Sequence, residues 1–126
     1  MGNGRILFLE DDNDTYELVR FMLERAGYQA LRAVNGKDGL EIAHREQPDL
    51  ILADLSMPEM DGWEATRKLK ADPATQHIPI IALTAHTLPG DRQRALKAGC
   101  NAYLTKPINL KVFLETVDKF MRGEQT

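Results

Sequence analysis

The chain has 126 residues, enough for a single domain with a substantial hydrophobic core. Hydrophobic residues make up 43% of the sequence and charged residues 28%, a composition that is typical of globular proteins and excludes a disordered chain. The net charge of −3 offers no basic field to attract nucleic acid or an anionic membrane, so we expect direct binding to neither.

Cysteine usage and hydropathy indicate the compartment. The single cysteine, Cys100, cannot form an internal disulfide or a cysteine metal site, which fits a reducing cytosol, and we expect it to be a small buried thiol. No apolar run reaches transmembrane length, and the N-terminus lacks the core of a signal peptide. We therefore expect a cytoplasmic protein with one domain over residues 1–126 and an ordered core of about 4–122.

Short apolar runs predict the strands of a sheet. In chain order they cover residues 6–9, 29–34, 50–53, 78–83 and 102–104. All but the second are rich in Ile and Leu and too short for helices, a pattern that is typical of strands buried on both faces. The second run contains Gln29 and Arg32, which indicates an edge strand.

Helical patterns follow the strands, at residues 14–26, 36–47, 63–71, 89–98 and 109–121. Asn35 and Asn109 stand where the second and fifth helices need an N-cap, and Gly27 and Gly99 stand where the first and fourth helices end. Because strand and helix alternate along the whole chain, the sequence predicts a doubly wound α/β domain, with helices on both faces of a parallel sheet.

Apolar spacing on two helices predicts which faces they bury. On the first helix this face consists of Leu18, Phe21, Met22 and Ala26. On the last helix it consists of Leu110, Phe113, Leu114, Val117 and Met121. We expect both faces to belong to the core.

Ligands of such sheets bind beyond the carboxyl ends of the strands, so the residues that follow the apolar runs predict the site. They are Glu10, Asp11 and Asp12 after the first run, Asp54 after the third, Thr84 after the fourth and Lys106 after the fifth. We interpret Asp12 either as a support for the neighbouring acids or as a charge at the helix start, with a solvated surface acid as the alternative to both.

These side chains are suited to phosphoryl transfer. Carboxylates at close range repel one another by roughly 1–4 kcal/mol per pair and tolerate this when a cation lies among them. Their hard oxygen ligands favour Mg²⁺, or Mn²⁺, over Zn²⁺. Lys106 can pair with a phosphoryl oxygen and Thr84 can donate to another, which completes the set of groups that phosphoryl transfer needs. The alternative is a purely structural ion pair between Lys106 and Asp54.

With these residues in place, the sequence resembles the receiver domain of bacterial two-component response regulators over essentially the whole chain. The resemblance rests on "LFLED", "PDLILADLSMPEMDG", "IPIIALTA" and "AYLTKPI", in this order and at domain-sized separations. The chain is also similar to stand-alone, single-domain receivers. The resemblance implies a flavodoxin-like, five-stranded parallel sheet in the order 2-1-3-4-5.

The resemblance implies a role for each matching acid. Asp54 would be the phosphoacceptor, whose carboxylate attacks the phosphorus of a phosphohistidine. Mg²⁺ would be held by Asp11 and Asp54, by the backbone carbonyl of Ser56, and by Glu10 through water.

The remaining matching residues would respond to phosphorylation. Lys106 would pair with the phosphoryl group, Thr84 would move toward it, and Tyr103 would turn inward behind Thr84. This would change the face formed by the fourth helix, fifth strand and fifth helix. The peptide bond between Lys106 and Pro107 is expected to be cis, a form that is accessible because the second residue is proline.

The resemblance also implies partners. The phosphodonor would be a sensor histidine kinase or a histidine phosphotransfer protein, and the output would pass by contact to a downstream protein effector. The protein would be a phosphoacceptor that assists its own phosphorylation and slow dephosphorylation, not an enzyme acting on a separate substrate. The alternative is a pseudo-receiver, a phosphorylation-independent interaction module, against which the complete set of Asp54, Thr84 and Lys106 argues.

Two further function classes fit less well. "DNDT" (12–15) is similar to the nucleophile motif of haloacid-dehalogenase-type phosphatases, but there the nucleophile directly ends the first strand, whereas here Glu10 and Asp11 intervene. A flavin-binding protein of this fold would need a phosphate cradle in the first loop. The acidic loop here would repel a phosphate that lacks a metal, and the chain has no GxGxxG motif.

Overall fold

The fold comes from a computed structural model that describes residues 4–55, 62–85 and 90–123. The strands in these ranges are β1 (Arg5–Leu9), β2 (Gln29–Ala33), β3 (Leu50–Asp54), β4 (Ile80–Thr84) and β5 (Ala102–Thr105). The helices are α1 (Asn13–Arg25), α2 (Gly36–Glu46), α3 (Gly62–Ala71), α4 (Asp91–Ala98) and α5 (Leu110–Met121). The predicted alternation of strand and helix is confirmed.

The strands form one parallel sheet in the order β2-β1-β3-β4-β5. This confirms the predicted order and places β2 at an edge. The chain order reverses between β1 and β3, which lie side by side with Leu9 opposite Ala53. The residues that follow these two strands therefore meet at the switch point of the sheet, where ligands of this architecture bind.

The two faces of the sheet carry two separate halves of the core. Leu7, Leu9 and Ile51 point to the half that contains α2, α3 and α4. Phe8 and Leu52 point to the half that contains α1 and α5. Burial on both faces explains why the central strands are unbroken apolar runs. Cys100 is buried as predicted, and this burial raises the pKa of its thiol to about 11.

The predicted helix ends are largely confirmed. The side chain of Asn35 accepts a hydrogen bond from the amide of Asp38, and that of Asn109 from the amide of Val112. Gly99 ends α4 with a φ of +114°, a conformation that favours glycine. α1 ends slightly earlier than expected, at Arg25.

The start of β4 differs from the prediction. The strand begins at Ile80 and not at residue 78, because the amide of Ile78 donates to the carbonyl of Thr75 in the preceding turn. The predicted start of the fourth helix, at residue 89, lies outside the described residues.

The predicted buried face of α1 is wrong at two positions. Leu18 is 54% exposed and Phe21 is 57% exposed, whereas the residues of α1 that are buried are Tyr16, Val19, Met22 and Leu23. The helix has apolar residues on two neighbouring stripes, and periodicity alone does not decide which stripe faces the sheet. Leu110, at the start of α5, is likewise 52% exposed.

None of the helices in the described ranges is long and apolar enough to cross a membrane.

The start of α3 lies directly against the end of β3. A Cβ atom on Gly62 would lie 2.2 Å from the carbonyl oxygen of Asp54 and 2.7 Å from the Cα of Leu55. Trp63, the next residue, is buried, and the guanidinium carbon of Arg94 lies 4.3 Å from the centre of its ring. Glycine at position 62 thus allows the start of α3 to pack directly against the backbone at the end of β3.

We expect Gly62→Ala to lower the free energy of unfolding by about 1–3 kcal/mol, because its Cβ would overlap backbone atoms that cannot rotate away. Gly39→Ala is the matched control: its Cβ would also be crowded, 2.7 Å from the Cδ2 of Leu9, but by a side chain. Gly39 also lies inside a helix, where alanine stabilises the helix by about 1 kcal/mol relative to glycine. Urea unfolding should show the larger loss for Gly62→Ala, and equal midpoints for this variant and the wild type would contradict the backbone clash.

Candidate functional site

The acids predicted from the strand ends lie together at the carboxyl edge of the sheet. Glu10, Asp11 and Asp54 each offer a carboxylate oxygen, and these oxygens all lie within 4.8 Å of one another. Glu10 is 1% exposed and Asp54 is 4% exposed, while Asp11 lies on the surface. The cluster therefore has two buried acids and one at its entrance, an open arrangement that leaves room for a ligand.

Lys106 connects the two buried acids. Its Nζ lies 3.1 Å from Oε1 of Glu10 and 3.2 Å from Oδ2 of Asp54, so one ammonium group serves both carboxylates. The backbone amide of Lys106 also donates to the carbonyl of Thr84, at 2.9 Å. The peptide bond between Lys106 and Pro107 is cis. The predicted lysine, acceptor and hydroxyl residues thus lie in one connected group.

Burial and charge shift the pKa values of this group. Burial, followed by repulsion from Asp54, raises the pKa of Glu10 to about 7, although the amide of Asp12 and the ammonium of Lys106 act in the opposite direction. Burial would lower the pKa of Lys106, but attraction to Asp54 and Glu10 outweighs it, and the net result is a raised pKa. One ammonium group therefore does not fully balance the acids, and a further cation would stabilise the cluster.

The donor set fits Mg²⁺. Three carboxylates, with neither histidine nor cysteine among them, match the preference of this ion for hard oxygen ligands and leave positions open for water and phosphate. Asp11, Asp54 and Glu10 would hold it directly or through water. Ser56, whose carbonyl is the further predicted ligand, lies outside the described residues.

Thr84 and Tyr103 belong to the last two strands of the sheet. Thr84 is fully buried and pairs with Thr105, and Tyr103 lies two residues before Thr105 on the same face of β5. Tyr103 is partly buried and lines a cavity of about 440 Å³ with Arg92, Leu96 and Phe120, away from the acids. Thr84 therefore lies at the carboxyl edge of the sheet, and Tyr103 lies at the surface between α4 and α5.

The structure decides between the two interpretations of Asp12. Its carboxylate accepts hydrogen bonds from the amide and the hydroxyl of Thr15, at 2.8 and 2.7 Å, and so caps α1. The same bonds, with the hydroxyl contributing most, lower the pKa of Asp12. Asp12 is thus the charge at the helix start.

Arg32 was missed as a residue of the site. Its guanidinium donates to the backbone carbonyls of Glu10 and Asp11, at 3.2 and 3.3 Å. In the sequence analysis, Arg32 served only as an indication that the second strand lies at an edge of the sheet. The signal that could have identified it is a charged residue within the strand that pairs with β1, whose end carries the acids.

We expect the metal-free protein to lose stability on the order of 1–3 kcal/mol as pH rises from about 5 to 8, because of Glu10. The pKa of Glu10 is about 7 in the folded protein against 4.5 for an isolated glutamate, so its contribution is present below pH 4.5 and is lost as pH rises through 7. The glutamine in Glu10→Gln cannot ionise, so this variant should lose less stability over the same pH range. Thermal unfolding with a chelator at both pH values measures this.

Glu41→Gln, which removes an exposed glutamate of α2, is the control and should follow the wild type. If the stability of Glu10→Gln and of the wild type changed with pH in parallel, this would contradict the raised pKa of Glu10 as the cause of the loss.

Comparison with known proteins places this geometry in a family. The chain matches the family model of the response regulator receiver domain over residues 6–118. The polar-differentiation response regulator DivK of Brucella anthropi is 40% identical over 116 residues, which cover 92% of this chain and 94% of the relative. DivK of Brucella ovis is 39% identical over the same length and with the same coverage.

Solved structures show the same fold. The receiver domain of a signal transduction histidine kinase from Syntrophus aciditrophicus has a TM-score of 0.89 at 36% identity, over 96% of this chain and 92% of that chain. The receiver domain of a sensor histidine kinase from Pseudomonas aeruginosa has a TM-score of 0.88 at 34% identity, over 96% and 99% of the two chains, and that structure has a magnesium ion coordinated in its active-site cleft.

The family model spans most of the chain, and the relatives exceed 30% identity over nearly their whole length. The chain therefore belongs to the response regulator receiver domain family of two-component signalling.

Proposed function

We propose that this protein is a phosphorylation-switched signalling protein that accepts a phosphoryl group from a histidine phosphodonor onto Asp54. The observation that carries the proposal is the position of the Asp54 carboxylate. It lies at the end of a central strand, beside the switch point of the sheet, with the ammonium of Lys106 at 3.2 Å and two further acids within 4.8 Å. A phosphoryl group bound to Asp54 would lie next to the ammonium of Lys106, which could pair with it.

The transfer exchanges one phosphorus bond for another. A carboxylate oxygen of Asp54 forms the new bond to phosphorus while the bond between phosphorus and the imidazole nitrogen of the donor breaks, and the electron pair leaves with the imidazole. Lys106, already between Glu10 and Asp54, can pair with an oxygen of the transferred group. Mg²⁺, when bound, supplies positive charge that stabilises the phosphoryl oxygens.

The switch is a shift between two arrangements of the site. The hydroxyl of Thr84 and the ammonium of Lys106 would contact phosphoryl oxygens in only one of them, and phosphorylation favours that arrangement by these added contacts. The bond between the amide of Lys106 and the carbonyl of Thr84 makes the two residues respond together. Tyr103, on the same strand as Thr105, would carry the change to the surface between α4 and α5.

The partners follow from this chemistry. The donor is a sensor histidine kinase or a histidine phosphotransfer protein, and the output is contact with a downstream protein effector in the cytoplasm. The likeness to DivK, which is a response regulator, supports this role. A pseudo-receiver is the second candidate, but the connected group of Asp54, Lys106 and Thr84 favours phosphorylation.

Acetyl phosphate with Mg²⁺ should add one phosphoryl group to the wild type and none to Asp54→Asn, because the amide lacks the nucleophilic oxygen. Intact-mass spectrometry measures the addition. Asp49→Asn, which alters an exposed acid at the opposite end of β3, is the control and should be modified like the wild type. Full modification of Asp54→Asn would remove Asp54 as the acceptor.

Mg²⁺ should bind at least about tenfold more weakly to Asp11→Ala, because a carboxylate ligand is lost. Fluorescence of Trp63 can report the titration, since Trp63 follows Gly62, which lies against the carbonyl of Asp54. The control is Asp14→Ala, an exposed acid in the first turn of α1. Equal affinity in Asp11→Ala and Asp14→Ala would contradict the role of Asp11 in the metal site.

A further inference from the structure

We propose that Arg32 is a positioning residue for Mg²⁺ binding: it holds the backbone of Glu10 and Asp11 in the arrangement that presents their carboxylates toward Asp54. The inference rests on the proposed function, since it assigns Arg32 to the same metal site. It concerns the acidic loop, which we define as residues 10–12, between β1 and α1.

Arg32 binds the backbone of the acidic loop directly. The Nε of Arg32 donates to the carbonyl of Glu10 at 3.2 Å, and a terminal nitrogen donates to the carbonyl of Asp11 at 3.3 Å. The neighbouring residue on β2, Ala33, accepts from the amide of Glu10 at 2.9 Å. β2 therefore holds the acidic loop through three backbone groups of Glu10 and Asp11, and two of these bonds come from one side chain.

The guanidinium of Arg32 is itself held in place. Its carbon lies 4.9 Å from the centre of the Tyr16 ring, a side chain of α1 that is 6% exposed. The Tyr16 ring in turn stacks on Phe8 of β1, with 6.1 Å between the ring centres. Arg32, on β2, is thus fixed against α1, the helix that follows the loop it binds.

The acidic loop must resist repulsion between carboxylates. Three carboxylates lie within 4.8 Å of one another, and the loop carries two of them. The side chain of Asp11 is exposed, so the backbone of the loop determines how close its carboxylate stays to the others. Bonds to the carbonyls of Glu10 and Asp11 restrain that backbone, whereas an unrestrained loop would relieve the repulsion by moving apart.

The test is a calorimetric Mg²⁺ titration of the wild type and three variants. Arg32→Met, which keeps the aliphatic stem and removes the donors, should raise the dissociation constant about tenfold, the lower end of the range for groups that position metal ligands. Arg32→Lys should give an intermediate value, because an ammonium cannot match the planar fork of the guanidinium.

Arg25→Met is the matched control. Arg25 lies on the same helix as Tyr16, and its guanidinium also covers an aromatic ring, that of Phe21, with 5.5 Å to the centre. The Arg25→Met variant removes the same charge and a similar contact from another part of the surface, and we expect it to bind Mg²⁺ with wild-type affinity. A wild-type dissociation constant in Arg32→Met would overturn the proposal. If Arg32→Met does not fold, wild-type affinity in Arg32→Lys would overturn it equally.

A readout that distinguishes positioning from general stabilisation is the Mg²⁺ dependence of phosphorylation by acetyl phosphate. Arg32→Met should need about tenfold more Mg²⁺ for half-maximal phosphorylation and reach nearly the wild-type rate at saturation. A lowered unfolding midpoint with unchanged Mg²⁺ dependence would overturn the positioning role. Absence of Mg²⁺ binding by the wild type would overturn the metal site itself, and hence both proposals. Normal binding and phosphorylation in the wild type and Arg32→Met alike would overturn only the role of Arg32.

Discussion

The ammonium group of Lys106, shared between Glu10 and Asp54, is the interaction on which the site depends. Two carboxylates that are almost wholly buried would otherwise face each other in a medium that screens their charges poorly. Lys106 follows the edge strand β5, whereas Glu10 follows the central strand β1 and Asp54 ends the central strand β3. The ion pairs therefore extend across the carboxyl edge of the sheet and require its strand order.

Other parts of the fold keep this edge in place. Close packing at Gly62 sets α3 directly against the end of β3, where Asp54 lies. Asp12 caps α1 and so fixes the exit from the acidic loop, while Arg32 binds the carbonyls of its first two residues. These contacts act on the backbone, and the carboxylates remain available to a cation.

Strand positions and the acids of the site could be predicted from the sequence, because apolar runs and the acids that follow them are local patterns. The sheet order is not a local pattern, and only the resemblance to receiver domains implied it. The register of α1 could not be predicted. Phe21 belongs to a stripe as apolar as the one that is buried, and only the packing of the sheet selects between them. Arg32 was missed for a related reason, since its partners are backbone carbonyls 21 and 22 residues away, which carry no sequence signal.

The shared ammonium also explains how a change at Asp54 can reach Thr84. Without a phosphoryl group on Asp54, the ammonium of Lys106 forms ion pairs with both Glu10 and Asp54. The proposed phosphoryl group on Asp54 would add negative charge on one side of this balance, which would favour movement of the ammonium away from Glu10. Because the amide of Lys106 is bonded to the carbonyl of Thr84, a new position of Lys106 changes the end of β4 as well. In the proposed switch, unequal attraction of one lysine to two acids would therefore couple the acceptor to the predicted switch residues.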